Sequence, residues 1–266
     1  MLKKEKGGDQ TRQKNLNNTE KPSSESRRKP ILNIILGIIS YLVWSGTIVI
    51  ALQFLISIIF TSIFHNNIDS PIIFAVYSLF YYGLSVFVIV FLPQKLSKKN
   101  PKKKPSLGLK RLPNFSDFAL SPIALIIYML LAVLMSALFS LFPWYNANQA
   151  QDLGLNPYMN HIELISTFFA LAVIAPIAEE IIFRGWLYDK LRKTIPGKLS
   201  ILISIILVST LFGLIHGQLN VAVNVFALSV IACLLREITG SIYAGIYLHI
   251  IKNIIAFLLV YVYHIS

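Results

Sequence analysis

The chain has 266 residues, 55% of them hydrophobic and only 14% charged, with 24 Lys and Arg against 12 Asp and Glu. Soluble domains carry about 25% charged residues, and a mean hydropathy of +0.66 points the same way, so a soluble enzyme is excluded. The net charge of +12 does not read as nucleic-acid binding, because the basic residues lie between apolar runs, where they set membrane topology. A single cysteine, Cys233, excludes an intramolecular disulfide and disfavours a thiolate metal cluster.

Residues 1–30 hold nine basic and four acidic side chains among Gly, Asn, Ser and Pro. So little apolar surface cannot offset the entropy of ordering, and a disordered cytoplasmic tail is expected. The run Ile31–Phe64 is too long for the apolar region of a signal peptide and lacks a small-residue cleavage site, so it reads as a retained anchor. About twenty apolar residues cross a bilayer, which predicts spans near 34–62, 71–92, 118–142, 162–188, 199–216, 219–235 and 241–263. The uncharged stretch Leu199–Leu235 has 37 residues and would reach about 55 Å as one helix. It must fold back, and His216-Gly217-Gln218 is the natural place.

The charges fit this count. Nine basic residues precede the first span, eight separate the second from the third, five follow the core of the fourth, and Arg236 lies between the sixth and seventh. The loops 65–70, 143–161 and 217–218 have no Lys or Arg, so 23 of the 24 basic residues fall on one side, the cytoplasmic side by the positive-inside rule. The N-terminus is then inside and the C-terminus outside. The exception is Lys252, within the last span. The expected fold is an all-α polytopic bundle of about seven transmembrane helices with a polar cavity.

Ionisable groups inside spans are costly and mark functional sites by default. Glu179, Glu180 and Arg184 lie in span four, His216 at the fold-back, and His249, Lys252 and the polar Asn253 in span seven. Glu180 and Arg184 are four apart with the acid nearer the N-terminus, the favourable order for a helical ion pair. That leaves Glu179 as a carboxylate without a counter-ion, suited to act as a general base; the competing reading is that both acids line an ion path or pin the helix end. His216 at a break in the membrane needs polar partners, and Gln218, Asn220 and Asn224 are near in sequence. His249 and Asn253 share one helix face and can aim two donors at one point, as an oxyanion requires. A divalent metal at Glu179, His216 and His249 is the alternative use of these groups, although no H-E-x-x-H is present and Asn is a poor zinc ligand.

The remaining candidates read more simply. His65, His161 and His264 belong at solvated outer ends, and Glu163 opens span four at the interface. Trp44, Trp144 and Trp186 suit lipid packing or interfacial belts. Lys95–Arg111 reads as a solvated loop meeting anionic headgroups. Depth raises one conflict: along a helix, Glu179 lies about 16 Å from Lys190, whereas His216 lies about 27 Å from Lys198. His216 joins the other groups only if helix five starts outside the hydrocarbon, tilts or breaks early.

Glu179-Glu180…Arg184, Phe212…His216 and His249…Asn253, in this order on successive spans, resemble the E-E-x-x-x-R, F-x-x-x-H and H-x-x-x-N motifs of the CPBP family (CAAX-protease and bacteriocin-processing, or Abi) of intramembrane endopeptidases. The resemblance covers roughly 160–256, leaving 31–159 as N-terminal transmembrane helices and 257–266 as the end of the last helix and the C-terminus. It implies that Glu179 activates a water with the help of His216. It further implies that His249 and Asn253 hold the oxyanion, and that Glu180 and Arg184 orient the site or the substrate. No cofactor is then needed. The implied partners are the bilayer and a membrane-associated peptide or protein tail, in peptide maturation or bacteriocin self-immunity, with no nucleic acid. Lys252 departs from what the third motif leads one to expect. A non-catalytic immunity or binding protein that keeps the fold is the competing function. An ion-coupled transporter ranks last, because the first three spans lack ionisable residues.

Overall fold

The computed structural model describes residues 24–65, 67, 69–96, 106–147, 149, 155 and 158–264. The expected tail over residues 1–30 lies largely outside them. Two compact units divide the chain, residues 1–37 and 38–266. Of the first, the described part is the beginning of a helix. Apart from the range given for that helix, all that follows concerns the second.

Seven helices account for the described secondary structure of the apolar regions: α1 (Ser24–Phe64), α2 (Pro71–Lys95), α3 (Phe115–Phe139), α4 (His161–Thr194), α5 (Ser200–Leu214), α6 (Leu219–Thr239) and α7 (Tyr243–Val262). Six are long and apolar enough to cross a membrane, and α5, with 15 residues, is shorter. The chain is therefore an all-α, multi-pass membrane protein, as its hydropathy implies. Starts and stops follow local chemistry. Asn114 and Asp117 form a reciprocal capping box at the start of α3, and Asn160 and Glu163 form another at α4, satisfying amide groups that a helix end leaves free. Glu163 thus has a definite structural role. Gly240, in the left-handed region (φ 67°), ends α6.

Helix α6 is the central element. Of its most apolar window 56% is buried, against 17% for α1, which leaves a wide apolar face of α1 (Phe54, Leu55, Ile58) exposed, as befits a lipid-facing helix. One core cluster joins Val49, Val90, Phe183, Leu187, Phe212 and Val225; a second joins Tyr128, Leu228, Leu235, Ala244 and Leu248. The fold-back occurs where it was expected, between α5 and α6, with Gly217 at φ 74°. These two helices pack tightly because Gly213 has no side chain: a Cβ there would lie 2.9 Å from the Ala222 carbonyl oxygen.

Basic loops meet at one end of the bundle. Arg192 pairs with Glu237 at 3.0 Å, Lys193 with Asp189 at 2.6 Å, and Arg111 with Asp117. The Asp117 hydrogen bonds also hold the Arg111 guanidinium above its ordinary pKa. The Lys95–Arg111 loop is only partly the solvated segment anticipated. The Ser106 amide donates to Asp189 (3.1 Å), Arg236 donates to the Ser106 carbonyl, and the Gly108 carbonyl accepts from Ile242 (3.3 Å). Trp186 also departs from the lipid-belt reading: it is 3% exposed and meets Tyr41 edge to face at 6.0 Å.

Helix α4 is not uniformly α-helical. It has π-helical stretches at Phe169–Ile174 and Glu180–Leu187, a feature that often accompanies functional sites. The first has a direct effect on the neighbouring helix. In a π turn Ala175 donates to Ala170, so the donor opposite Leu171 would be residue 176. That residue is a proline and has no N–H. The Leu171 carbonyl is left free, and the Asn253 side-chain amide of α7 donates to it at 2.8 Å.

Candidate active site

Glu179, His216, His249 and Asn253 all line one cavity of about 370 Å³, together with Lys252 and three tyrosines of α2, Tyr77, Tyr81 and Tyr82. Four elements deliver these side chains: α2, α4, the α5–α6 turn and α7. The depth conflict for His216 disappears because α5 ends at Leu214. It spans only about 22 Å, and His216, in the turn beyond it, lines the same cavity as the other groups.

The two glutamates have different surroundings. Glu180 is fully buried, and its Oε1 accepts from His249 Nδ1 at 3.2 Å and lies 3.0 Å from Arg184 Nη1. Arg184 is itself fully buried, with its guanidinium carbon 4.5 Å from the centre of the Phe212 ring, a cation–π contact. The i, i+4 pair anticipated from the sequence is formed. Glu180 Oε2 fits against α7 only because residue 245 is glycine: a Cβ there would come within 2.9 Å of that oxygen.

Glu179 faces the cavity. Its Oε1 accepts a hydrogen bond from the Tyr82 hydroxyl at 2.9 Å, and its Oε2 lies 3.7 Å from His249 Nε2. It is therefore partnered by a group the sequence did not single out, because a tyrosine in an apolar helix looks like packing. Only its place in an otherwise uncharged span hinted at more.

Hydrogen-bond partners fix the imidazole protons. A carboxylate only accepts, so His249 donates from Nδ1 to Glu180, and its Nε2 turns toward Glu179 and the cavity. His216 lies 2.7 Å from the Phe212 carbonyl through Nδ1, which must donate, leaving Nε2 as an acceptor. Of the polar partners expected for His216, Asn220 donates to the Gln149 carbonyl and Asn224 accepts from Tyr128, while Gln218 meets it through the backbone, its amide donating to the His216 carbonyl at 2.9 Å. Asn253 spends one amide hydrogen on Leu171 and keeps a second. His65, His161 and His264 are exposed, away from this cavity. Among the described residues, no three of His, Cys, Asp and Glu are grouped as a metal-ligand set.

Residues 161–255 match the family model described as type II CAAX prenyl endopeptidase Rce1-like. This segment is Rce1-like. It runs from the start of α4 into α7 and contains Glu179, Glu180, Arg184, His216, His249 and Asn253. The family is one of CAAX-type intramembrane proteases within CPBP, the resemblance that the three motifs carry. Comparisons with curated proteins and with solved structures gave no match. Within the Rce1-like segment, α4, α6 and α7 each have the length and apolarity of a membrane span, with α5 as the shorter fourth helix.

Proposed function

We propose that this protein is an intramembrane endopeptidase in which Glu179, assisted by His216, activates a water against a peptide bond of a membrane-associated substrate. The observation that supports this reading most is the convergence of four polar groups from three elements of the Rce1-like segment on one cavity within apolar helices. As water oxygen attacks the carbonyl carbon, Glu179 Oε2 takes its proton, and the unprotonated Nε2 of His216 accepts the water's other hydrogen bond. The oxyanion receives the free Asn253 amide hydrogen, with His249 Nε2 beside it as the second donor when that nitrogen carries a proton. Glu180 orients His249 through Nδ1, while Arg184 balances the Glu180 charge. The proton on Glu179 then passes to the leaving amine as the C–N bond breaks. Each group has a task without a metal, and metal-free hydrolysis is part of the proposal.

The basic end of the bundle faces the cytoplasm in this reading, the N-terminus inside and the C-terminus outside, in the cell membrane. Peptide maturation or bacteriocin self-immunity is the proposed setting. The test compares membrane proteomes and released peptides from cells expressing wild type or Glu179→Ala at equal levels, with and without a chelator. A processed tail or peptide present only with wild type, in both chelator conditions, is the expected result. No difference, with any immunity kept by the variant, would replace this reading with a binding protein.

A further inference from the structure

Lys252 has no counterpart in the chemistry above. It lines the catalytic cavity and also a second, more apolar cavity of about 430 Å³ between α3, α6 and α7; Val221, Val225 and Ala256 share that common wall. Along the helix axis the ammonium lies far from both ends of α7. Nine residues separate Lys252 from the start of α7 and ten from its end, about 14 and 15 Å, and a lysine stem reaches roughly 6 Å. Among the described residues it has no hydrogen bond and no carboxylate within ion-pair distance. Glu180 is held by Arg184 and His249; Glu179, bonded to Tyr82 with His249 opposite, acts on the ammonium electrostatically across the cavity without pairing with it. An intramembrane cation is retained where something compensates it, and the open side of this one is the space a substrate fills.

We propose that Lys252 is the subsite for a carboxylate of the peptide substrate. Lys252 follows His249 by three residues, which places their side-chain bases about 5–6 Å apart on one face. An extended peptide rises about 3.3 Å per residue, so the bound carboxylate falls within about one to three residues of the scissile carbonyl. The cavity beyond the wall, with Leu125, Met129 and Leu259 among its apolar lining and Asn220 and Asn224 among its polar lining, takes the neighbouring side chains. The carboxylate is either the free C-terminus of a tail or an acidic side chain close to the cut. This inference rests on the endopeptidase reading for the meaning of the site, but its test measures binding and needs no turnover.

The full chain carrying Glu179→Gln is placed in nanodiscs of phosphatidylcholine. The probes are short N-palmitoylated, fluorophore-labelled apolar peptides in three forms: free acid, C-terminal amide, and amide with one glutamate near the end. Anisotropy should show an acid-bearing form binding about ten- to a hundred-fold tighter than the plain amide, the range for a poorly solvated charge pair. Adding Lys252→Met should remove the difference by weakening the acidic peptide alone, and Lys252→Arg should retain it. A preference for the free acid assigns the subsite to a C-terminus, and one for the glutamate peptide to a side chain. Equal affinities for all three, no binding by any, or a Lys252→Met variant that loses acid and amide alike would overturn the assignment. Carboxylate discrimination without any proteolysis in cells would leave the subsite standing and remove the endopeptidase reading.

Discussion

The Glu180–Arg184 pair makes a quantitative prediction. Both side chains are fully buried, and Glu180 Oε1 is shared between Arg184 at 3.0 Å and His249 at 3.2 Å. In Glu180→Gln the guanidinium loses its carboxylate and faces a neutral amide, with the Phe212 ring as a contact that remains. That contact exists before and after the change, so it offsets nothing. Breaking a buried pair from one side costs about 3–5 kcal/mol. Arg184→Met should cost less, about 1–3 kcal/mol, because Glu180 retains the His249 hydrogen bond. The double variant removes the stranded charge along with its partner, and its loss should fall short of the sum by about 2 kcal/mol or more. Reversible unfolding in mixed micelles by added SDS would measure this, with the buried Trp186 as a fluorescent reporter in the same helix. Single-variant losses below about 1 kcal/mol that simply add would show that the pair behaves like a surface ion pair, and the reasoning would fail.

Three further perturbations follow from contacts in the site. Gly245→Ala places a methyl against Glu180 Oε2; displacing that carboxylate shifts His249, and turnover should fall about a hundred-fold, with a stability loss of about 1–2 kcal/mol by thermal unfolding. Unchanged kcat would show that Glu180 does not position His249. Tyr82→Phe removes the hydroxyl on Glu179 and should lower kcat about ten-fold with KM unchanged, in peptide hydrolysis by purified protein; a pure KM effect would reassign Tyr82 to substrate contact. Gly213→Val drives a side chain against the Ala222 carbonyl and should cost about 2–3 kcal/mol in the same SDS titration, whereas a neutral result would mean that α5 and α6 part easily.

Much of this arrangement is legible in the amino acids, for reasons that differ by feature. Helix positions come through because hydrocarbon demands long uncharged runs; the fold-back at 216–218 was forced by length alone. Glu179, His216, His249 and Asn253 stood out because polar groups in apolar helices are costly. What stayed hidden depends on neighbours from distant segments. Tyr82 lies 97 residues from the glutamate it contacts, and its own span does not say which carboxylate it meets. The division between Glu179 and Glu180 turns on which carboxylate faces α7, a rotation about α4 that π-helical turns set. Gly245 is silent in the sequence because its meaning is the absence of an atom beside Glu180.

The π-helical stretches make the catalytic face of α4 a question of residue count. Residues on an α-helix advance by about 100° each, and a π turn accommodates one more residue than an α turn does. Inserting a single residue between Asn160 and Phe169, where the π stretch has already taken up the one extra residue it holds, would turn the start of the helix relative to Glu179 by about that angle. Composition and hydropathy would hardly change, and the helix would still cross the bilayer. Its two halves would no longer agree about which way is inward: with Asn160, Glu163 and the lipid-facing residues held in place, Glu179 would be carried off Tyr82. In this protein an indel can silence the site where many substitutions would not, and the length of α4 between its cap and its first glutamate is as much a part of the site as the side chains.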